Sequence, residues 1–413
     1  MIKEPNAKEQ YHIYPTHGLL NDPNGLIYFN GQYHVYYQWN PRSLDHKYKT
    51  WAHVVSDDLV NWKRLPVALE PSLPEDQSGI YSGTTIEKDG ELYAFYTGNV
   101  RNDAGESIAS YQMAAKSTDG IIFTKLGKLF DQPTGYTRHV RDPKVFEVAG
   151  QYIMLLGAQK LDLTGDIIAY SSDDLLTWTY RGSILGNQLI DYRGYMMECP
   201  DLAFIDGQAV LMFSPQGLAP NGNRLKNIHN TGYVVGTFDA ATVRFIAQTT
   251  FHELDDGFEF YASQTLNHGD EHYVIGWAGM MPAQREKTLP TRVDNWMHVL
   301  TIPRALTLRD QQLYQLPVLQ LGDFKIVSAT EVTGVGLWTV TDTAWSVTLG
   351  NDFKIVRQQQ TVRLLRRQWD SGAWSERRVD DVDGHVKLVI DHDIVEVFIN
   401  DGQHVLTARY FTS

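Results

Sequence analysis

Five short turns punctuate much of the chain: Asn30-Gly31, Asp89-Gly90, Ala149-Gly150, Asp206-Gly207 and His268-Gly269. Their glycines, Gly31, Gly90, Gly150, Gly207 and Gly269, stand 59, 60, 57 and 62 residues apart. A period of this length marks a repeated supersecondary unit. After each turn comes a run rich in aromatic and branched residues, at 33–37, 92–96, 152–156, 209–213 and 273–277. Apolar runs of this length bounded by turn residues read as strands. A second element recurs outside these hairpins, a polar Ser-Asp or Ser-Thr-Asp turn leading to an aromatic, at 56–62, 117–123 and 172–178.

A sheet of about sixty residues cannot cover both of its faces alone, and radial stacking gives each copy two neighbours. The spacing therefore predicts an all-β chain with a five-bladed β-propeller as a catalytic domain over residues 1–308, the repeats filling roughly 10–308. A sandwich with coincidental spacing is the alternative, and near-equal gaps argue against it. Beyond about Gln311 the pattern changes: Val386–Ile390 and Ile394–Ile399 alternate, Asn400-Asp401-Gly402 makes a turn, and 405–411 follows. Residues 311–413 are expected to form a small C-terminal β-sandwich.

Each glycine turn is preceded, eight or nine residues earlier, by a polar motif, and in three repeats that motif carries an acid: Asp22, Asp142 and Glu198. Equivalent positions in a propeller occupy equivalent radii, so these distant carboxylates should meet in one funnel. Singly, each has a plain structural reading. Asn21-Asp22-Pro23-Asn24-Gly25 is an ordinary turn sequence. Arg141-Asp142-Pro143 can be an ion pair, with Arg141 keeping Asp142 ionised. Glu198-Cys199-Pro200-Asp201 offers two acids, and strand alternation sends Glu198 and Asp201 to opposite faces. Apolar neighbours would raise the pKa of Glu198, as a general acid requires. Together, an acid, a nucleophile and a third carboxylate on one axis are what glycoside hydrolysis needs.

Composition limits the partners. With 49 acidic and 36 basic residues the formal charge is −13, which disfavours nucleic acid and anionic membranes. No apolar run is long enough to span a bilayer, and Met1-Ile2-Lys3-Glu4-Pro5-Asn6 lacks the apolar core of a signal peptide. Cys199 is the single cysteine, compatible with a reducing compartment. A cytoplasmic location is expected. The early histidines His12, His17, His34, His46 and His53 show no metal-ligand spacing; neither a metal nor a cofactor is expected, and the oligomeric state is left open. Aromatic residues make up 12% of the chain, suiting packed sheets and offering platforms for sugar faces.

These motifs resemble those of glycoside hydrolase family 32, the invertases, sucrose-6-phosphate hydrolases and fructanases. The resemblance is carried by Asn21-Asp22-Pro23-Asn24-Gly25, Tyr36-Tyr37-Gln38, Trp51-Ala52-His53, Tyr81-Ser82-Gly83-Thr84, Arg141-Asp142-Pro143, Glu198-Cys199-Pro200, Phe260-Tyr261-Ala262 and, in the tail, Val395-Glu396-Val397-Phe398-Ile399-Asn400. It implies the same two-part fold, with Asp22 as nucleophile, Glu198 as acid/base and Asp142 as transition-state stabiliser. Asn21, Gln38, Trp51, Ser82, Arg141 and Trp277 are implied to line a fructosyl pocket, with Tyr81 standing where the family usually has Phe and Tyr261 shaping the same pocket. Leu19 stands where the family usually has Trp.

The expected substrate is a small sugar, sucrose or sucrose-6-phosphate, because 258–266 and 296–304 look like intracellular members. An exo-acting fructanase is the runner-up, and a catalytically silent fructan-binding propeller is the reading from another class. Arg42, His46, Lys47 and Lys49 lie in the long loop of the first repeat, where they could reach a 6-phosphate or form a solvated basic face.

Overall fold

The computed structural model describes residues 8–319 and 321–412; the opening Met1 to Asn6 lies outside the described residues. Each repeat is an antiparallel sheet whose first two strands form a hairpin. The first strands are Gly18–Phe29, Gly79–Lys88, Tyr136–Val148, Met196–Ile205 and Phe260–His268. Their hairpin partners are Gln32–Asn40, Glu91–Arg101, Gln151–Lys160, Gln208–Gln216 and Glu271–Ala278. In the first four hairpins both central turn residues have positive φ, as at Asn30 (50°) and Gly31 (83°), the type I′ geometry whose twist matches paired strands. The fifth turn is shifted by one residue: His268 pairs with Glu271, so Gly269 (φ 59°) is the first central residue.

The five first strands touch in cyclic order, each meeting the next and the fifth returning to the first. A short strand, Trp296–Met297, adds in parallel to Gly18 and Leu19 and ties the connection between the second and third strands of the fifth repeat to the first sheet. The recurring polar turns cap the third strands of the first three sheets. Asp58 Oδ1 accepts the backbone N–H groups of Val60 and Asn61, Asp119 those of Ile121 and Ile122, and Asp174 those of Leu176 and Thr177.

The fifth sheet is completed by Arg304–Arg309 and Gln312–Pro317, so it extends past the 308–311 boundary suggested by the repeat spacing. Two further sheets follow. One pairs Lys325–Val327, Gly336–Val340, Val386–Ile390, Ile394–Ile399 and His404–Arg409; the other pairs Ala344–Leu349, Phe353–Gln358, Thr361–Arg367 and Trp374–Val379. They share an apolar core in which Val347, Ile355 and Leu364 meet Val386, Leu388, Val397 and Leu406. Among the described residues no helix is long and apolar enough to cross a membrane.

A buried polar network joins this tail to the repeats. Arg304 lies 3.0 Å from Asp255 and 2.6 Å from Glu396, and Glu396 also accepts from the Ile302 backbone at 2.8 Å. His12 sits between Asp391 at 2.9 Å and Glu396 at 3.0 Å. Burial alone would lower the pKa of His12, but its hydrogen bonds to the two carboxylates and their charges raise it from 6.5 to about 9. The folded state therefore holds this proton more tightly than the unfolded chain. That stabilisation is complete below pH 6.5 and is lost as pH rises through about 9. The thermal midpoint should accordingly fall across this window, and His12→Gln should flatten the fall; parallel profiles would contradict this role.

Candidate active site

At its polar motif, every first strand carries an irregularity at which two residues oppose one on the partner. The slips lie between Leu20 and Pro23, Ile80 and Gly83, Arg141 and Lys144, Glu198 and Asp201, and Tyr261 and Gln264. A bulge bends its strand and re-aims the side chains beside it. Asp142, Cys199 and Ala262 adopt positive φ of 64°, 47° and 50° there. The five bulges face one cavity of about 430 Å³.

Asn21, Asp22, Gln38, Tyr81, Arg141, Asp142, Glu198, Tyr261 and Trp277 line this cavity. Asp201 does not. It is buried, with Lys144 at 2.9 Å and Thr265 Oγ1 donating at 2.8 Å, and so joins the third, fourth and fifth sheets. Trp51 and Ser82, both expected on the wall, stand behind it. Trp51 is wholly buried and its indole N–H donates to the Tyr81 carbonyl at 3.0 Å. Ser82 is likewise wholly buried and reaches the site through its hydrogen bond to Asp22.

Asp22 is held on both carboxylate oxygens, by Asn21 Nδ2 at 3.1 Å and Ser82 Oγ at 2.6 Å. Gln38 Nε2 in turn donates to Ser82 Oγ at 2.5 Å, while Asn21 Nδ2 donates to Gln38 Oε1 at 2.6 Å. Lys49 Nζ donates to Asn21 Oδ1 and, at 3.1 Å, to His46 Nδ1. This ring of contacts fixes one rotamer of Asp22. Burial raises its pKa, against the hydrogen bonds from Ser82 and Asn21.

Glu198 is gripped from three sheets. Arg141 donates to Oε1 through Nε at 3.0 Å and Nη2 at 2.5 Å; Gln216 Nε2 and the Tyr261 hydroxyl each donate to Oε2 at 2.7 Å. Arg141 thus hydrogen-bonds Glu198, and it also forms the expected ion pair with Asp142, at the longer distance of 3.9 Å. The longer glutamate reaches the guanidinium, whereas Asp142 turns at its bulge to accept the Cys199 backbone N–H at 3.0 Å. The charge pattern reverses with it. Burial pushes Asp142 up to about 7 despite Arg141, with the charges of Glu198 and Asp22 adding to the rise. For Glu198, burial is outweighed by the Arg141 charge and the Tyr261 hydrogen bond, and its carboxyl lies below the usual range. The raised Glu198 expected from sequence is therefore corrected to a lowered one.

Sequence reasoning missed Gln216 and Arg101 on the wall. A signal for Gln216 existed. The second strands also end at the cavity, seven residues after Gly31 in Gln38, nine after Gly207 in Gln216 and eight after Gly269 in Trp277. A further cluster was not visible from spacing: His46 Nε2 and His298 Nε2 both donate to Glu286 Oε1, at 2.8 and 3.0 Å, next to the Lys49 ammonium. Of the four basic residues in the first loop, His46 and Lys49 line the cavity, while Arg42 and Lys47 do not.

The comparisons agree along the whole chain. The model of the glycosyl hydrolases family 32 N-terminal domain matches residues 12–317, and that of the family 32 C terminal matches 339–413. The sucrose-6-phosphate hydrolase of Bacillus subtilis (strain 168) is 40% identical over 99% of this chain and 91% of its own. That of Klebsiella pneumoniae is 38% identical over 97% and 88%. The structure of sucrose-6-phosphate hydrolase from Lactobacillus gasseri superposes with a TM-score of 0.85 at 34% identity, covering 98% of this chain and 88% of that one. Repeats, cavity and matches lead to one assignment: the chain belongs to glycoside hydrolase family 32.

Proposed function

We propose that this enzyme is a retaining β-fructofuranosidase that hydrolyses sucrose-6-phosphate and sucrose. The observation that carries the reading is the meeting of Asp22, Asp142 and Glu198 in one cavity, with Asp22 fixed by Ser82 and Asn21 and Glu198 beside a cation. Glu198 protonates the glycosidic oxygen while Asp22 attacks the anomeric carbon of a terminal β-fructosyl unit, forming a covalent fructosyl-enzyme. Water activated by Glu198 then releases fructose with its configuration retained. Asp142 binds ring hydroxyls whose contacts tighten as the oxocarbenium-like state forms, so that catalysis comes from differential binding.

The cyclic contact of the first strands supports reading the five sheets as the blades of a propeller. We divide the chain into this catalytic unit and the two-sheet tail as a C-terminal sandwich, placing the division after Pro317. A cytoplasmic location fits a phosphorylated sugar, since a charged substrate does not cross a bilayer unaided.

Release of sugar from sucrose, sucrose-6-phosphate, inulin and levan tests the reading. Turnover of the two disaccharides supports it. Preference for the polymers would make the protein a fructanase, and no product from any substrate would leave a fructan-binding propeller.

The carboxyl cluster also sets a pH dependence. Burial, with the charges of Glu198 and Asp22, raises the proton affinity of Asp142, so the alkaline limb of kcat/KM should report the carboxyl cluster as a whole and not one isolated acid. Removing the guanidinium in Arg141→Gln withdraws a positive charge that favours ionised carboxylates. Their proton affinities rise, so the alkaline limb should move to higher pH while kcat falls. A pH profile in which the limb stays in place or moves to lower pH would contradict the assignment of Arg141.

A further inference from the structure

A phosphorylated disaccharide brings a dianion towards three carboxylates, and its binding requires a cation that those acids do not already occupy. The basic side chains near the cavity can be sorted by their contacts. Arg141 is committed to Glu198 at 2.5 Å. Lys49 lines the cavity but is buried and bound to Asn21 and His46. His46 is held by Glu286. Arg42, outside the cavity, stacks on Tyr48 with its guanidinium carbon 3.6 Å from the ring centre.

Arg101 is different. It lines the cavity at the end of the second strand of the second sheet, where Nη1 donates to the Gly105 carbonyl at 2.6 Å and Nη2 to the Tyr81 hydroxyl at 2.5 Å. Neither partner is charged, and among the described residues no carboxylate lies within ion-pair distance of it. Its Nε is buried without a hydrogen-bond partner. The nearby Glu106 is engaged by Asn102 Nδ2 at 3.0 Å.

The surroundings complete an anion site. The Tyr81 hydroxyl accepts from Arg101, which leaves its own proton to donate. Ser107 Oγ likewise accepts from Asn99 Nδ2 at 2.6 Å, and its hydroxyl proton is free for the same cavity wall. The Tyr81 hydroxyl is thus the group that orients the guanidinium.

We propose that Arg101, oriented by Tyr81 and assisted by Ser107, reads the phosphate of the substrate and sets the preference for phosphorylated over free sucrose. The inference rests on the fructofuranosidase reading above. A guanidinium with an open edge suits a phosphate because its donors are fixed in a fork.

The test compares wild type, Arg101→Gln, Arg101→Lys and the exterior control Arg42→Gln, using kcat/KM on sucrose-6-phosphate and on sucrose. Wild type and Arg42→Gln should prefer the phosphorylated substrate. Arg101→Gln should lose roughly ten- to hundred-fold on sucrose-6-phosphate, at least ten-fold more than on sucrose, and Arg101→Lys should recover part of the loss. Equal losses on both substrates, or an unchanged preference, would overturn the proposal. Calorimetric binding of glucose 6-phosphate against glucose reads the same subsite without turnover. Weaker binding of glucose 6-phosphate alone in Arg101→Gln supports the proposal even if neither disaccharide is cleaved, a result that would defeat only the catalytic reading; equal binding of the two sugars by wild type would overturn it.

Discussion

Asp22→Asn is expected to reduce kcat on sucrose by on the order of 10⁴-fold or more, the scale seen when a nucleophile that acts as part of a unit is removed. The substitution keeps size and shape; its amide offers one acceptor oxygen where Asn21 and Ser82 each donate to an oxygen of Asp22, so one of the two contacts is kept and the protein should still fold. What is lost is the charge that attacks the anomeric carbon. No fructosyl-enzyme can form, and an activated leaving group cannot compensate, because the missing step is the bond to fructose itself. Steady-state kinetics on sucrose and on an aryl β-fructofuranoside, together with thermal unfolding, measure this. A variant of wild-type stability that retained more than about a tenth of the activity would remove Asp22 from the mechanism.

Glu198→Ala should show the opposite dependence on the leaving group. General acid catalysis contributes on the order of 10²–10⁴ in rate, and the alanine variant should lose about that much on sucrose. An aryl leaving group that departs without a proton should lose far less in the first step, so that the fructosyl-enzyme accumulates and its hydrolysis, deprived of the base, becomes slow. A burst of released phenol followed by a slow phase is the expected record. Substituting Glu198 also leaves Arg141 without its carboxylate at 2.5 Å, and a moderate rise in KM is therefore part of the expectation. Equal losses on sucrose and on the aryl substrate would mean that Glu198 holds the site together and transfers no proton.

The two variants separate because the cavity gives their carboxylates different neighbours. Asp22 receives neutral donors, and Glu198 receives a guanidinium, an amide and a phenol. Against the rise that burial brings, the Arg141 charge and the Tyr261 hydrogen bond lower the proton affinity of Glu198, and the Arg141→Gln pH profile reads the first of these contacts.

Much of this was legible in the sequence for physical reasons. The glycine turns could be read because a type I′ hairpin demands positive φ at its centre, and that demand leaves its mark in the residues themselves. The offset between turn and acid could be read because strand length is fixed by the hairpin. Depth was harder to read. Trp51 and Ser82 were expected on the cavity wall and lie behind it, since a motif records which residues are near a site without saying which layer they occupy. The second and closer partner of Arg141 had no mark in the sequence: the ion pair with its neighbour Asp142 is present at 3.9 Å, while the reach of Glu198 across to the third sheet depends on how the sheets are placed. Glu198 lines the cavity and Asp201 does not, yet simple alternation is incomplete as the reason, because a bulge intervenes between them. Arg101 had no signal of its own: its significance comes from the Tyr81 hydroxyl twenty positions away in sequence and from the lack of a charged partner.

The central claim is that Asp22 and Glu198 transfer fructose through a covalent intermediate. Hydrolysis of sucrose in the presence of methanol, with the trapped product identified by NMR, tests it most directly. Methyl β-fructofuranoside, with the configuration of the substrate, is the predicted product; methyl α-fructofuranoside would show a single inverting displacement and contradict the assignment of Asp22 as nucleophile.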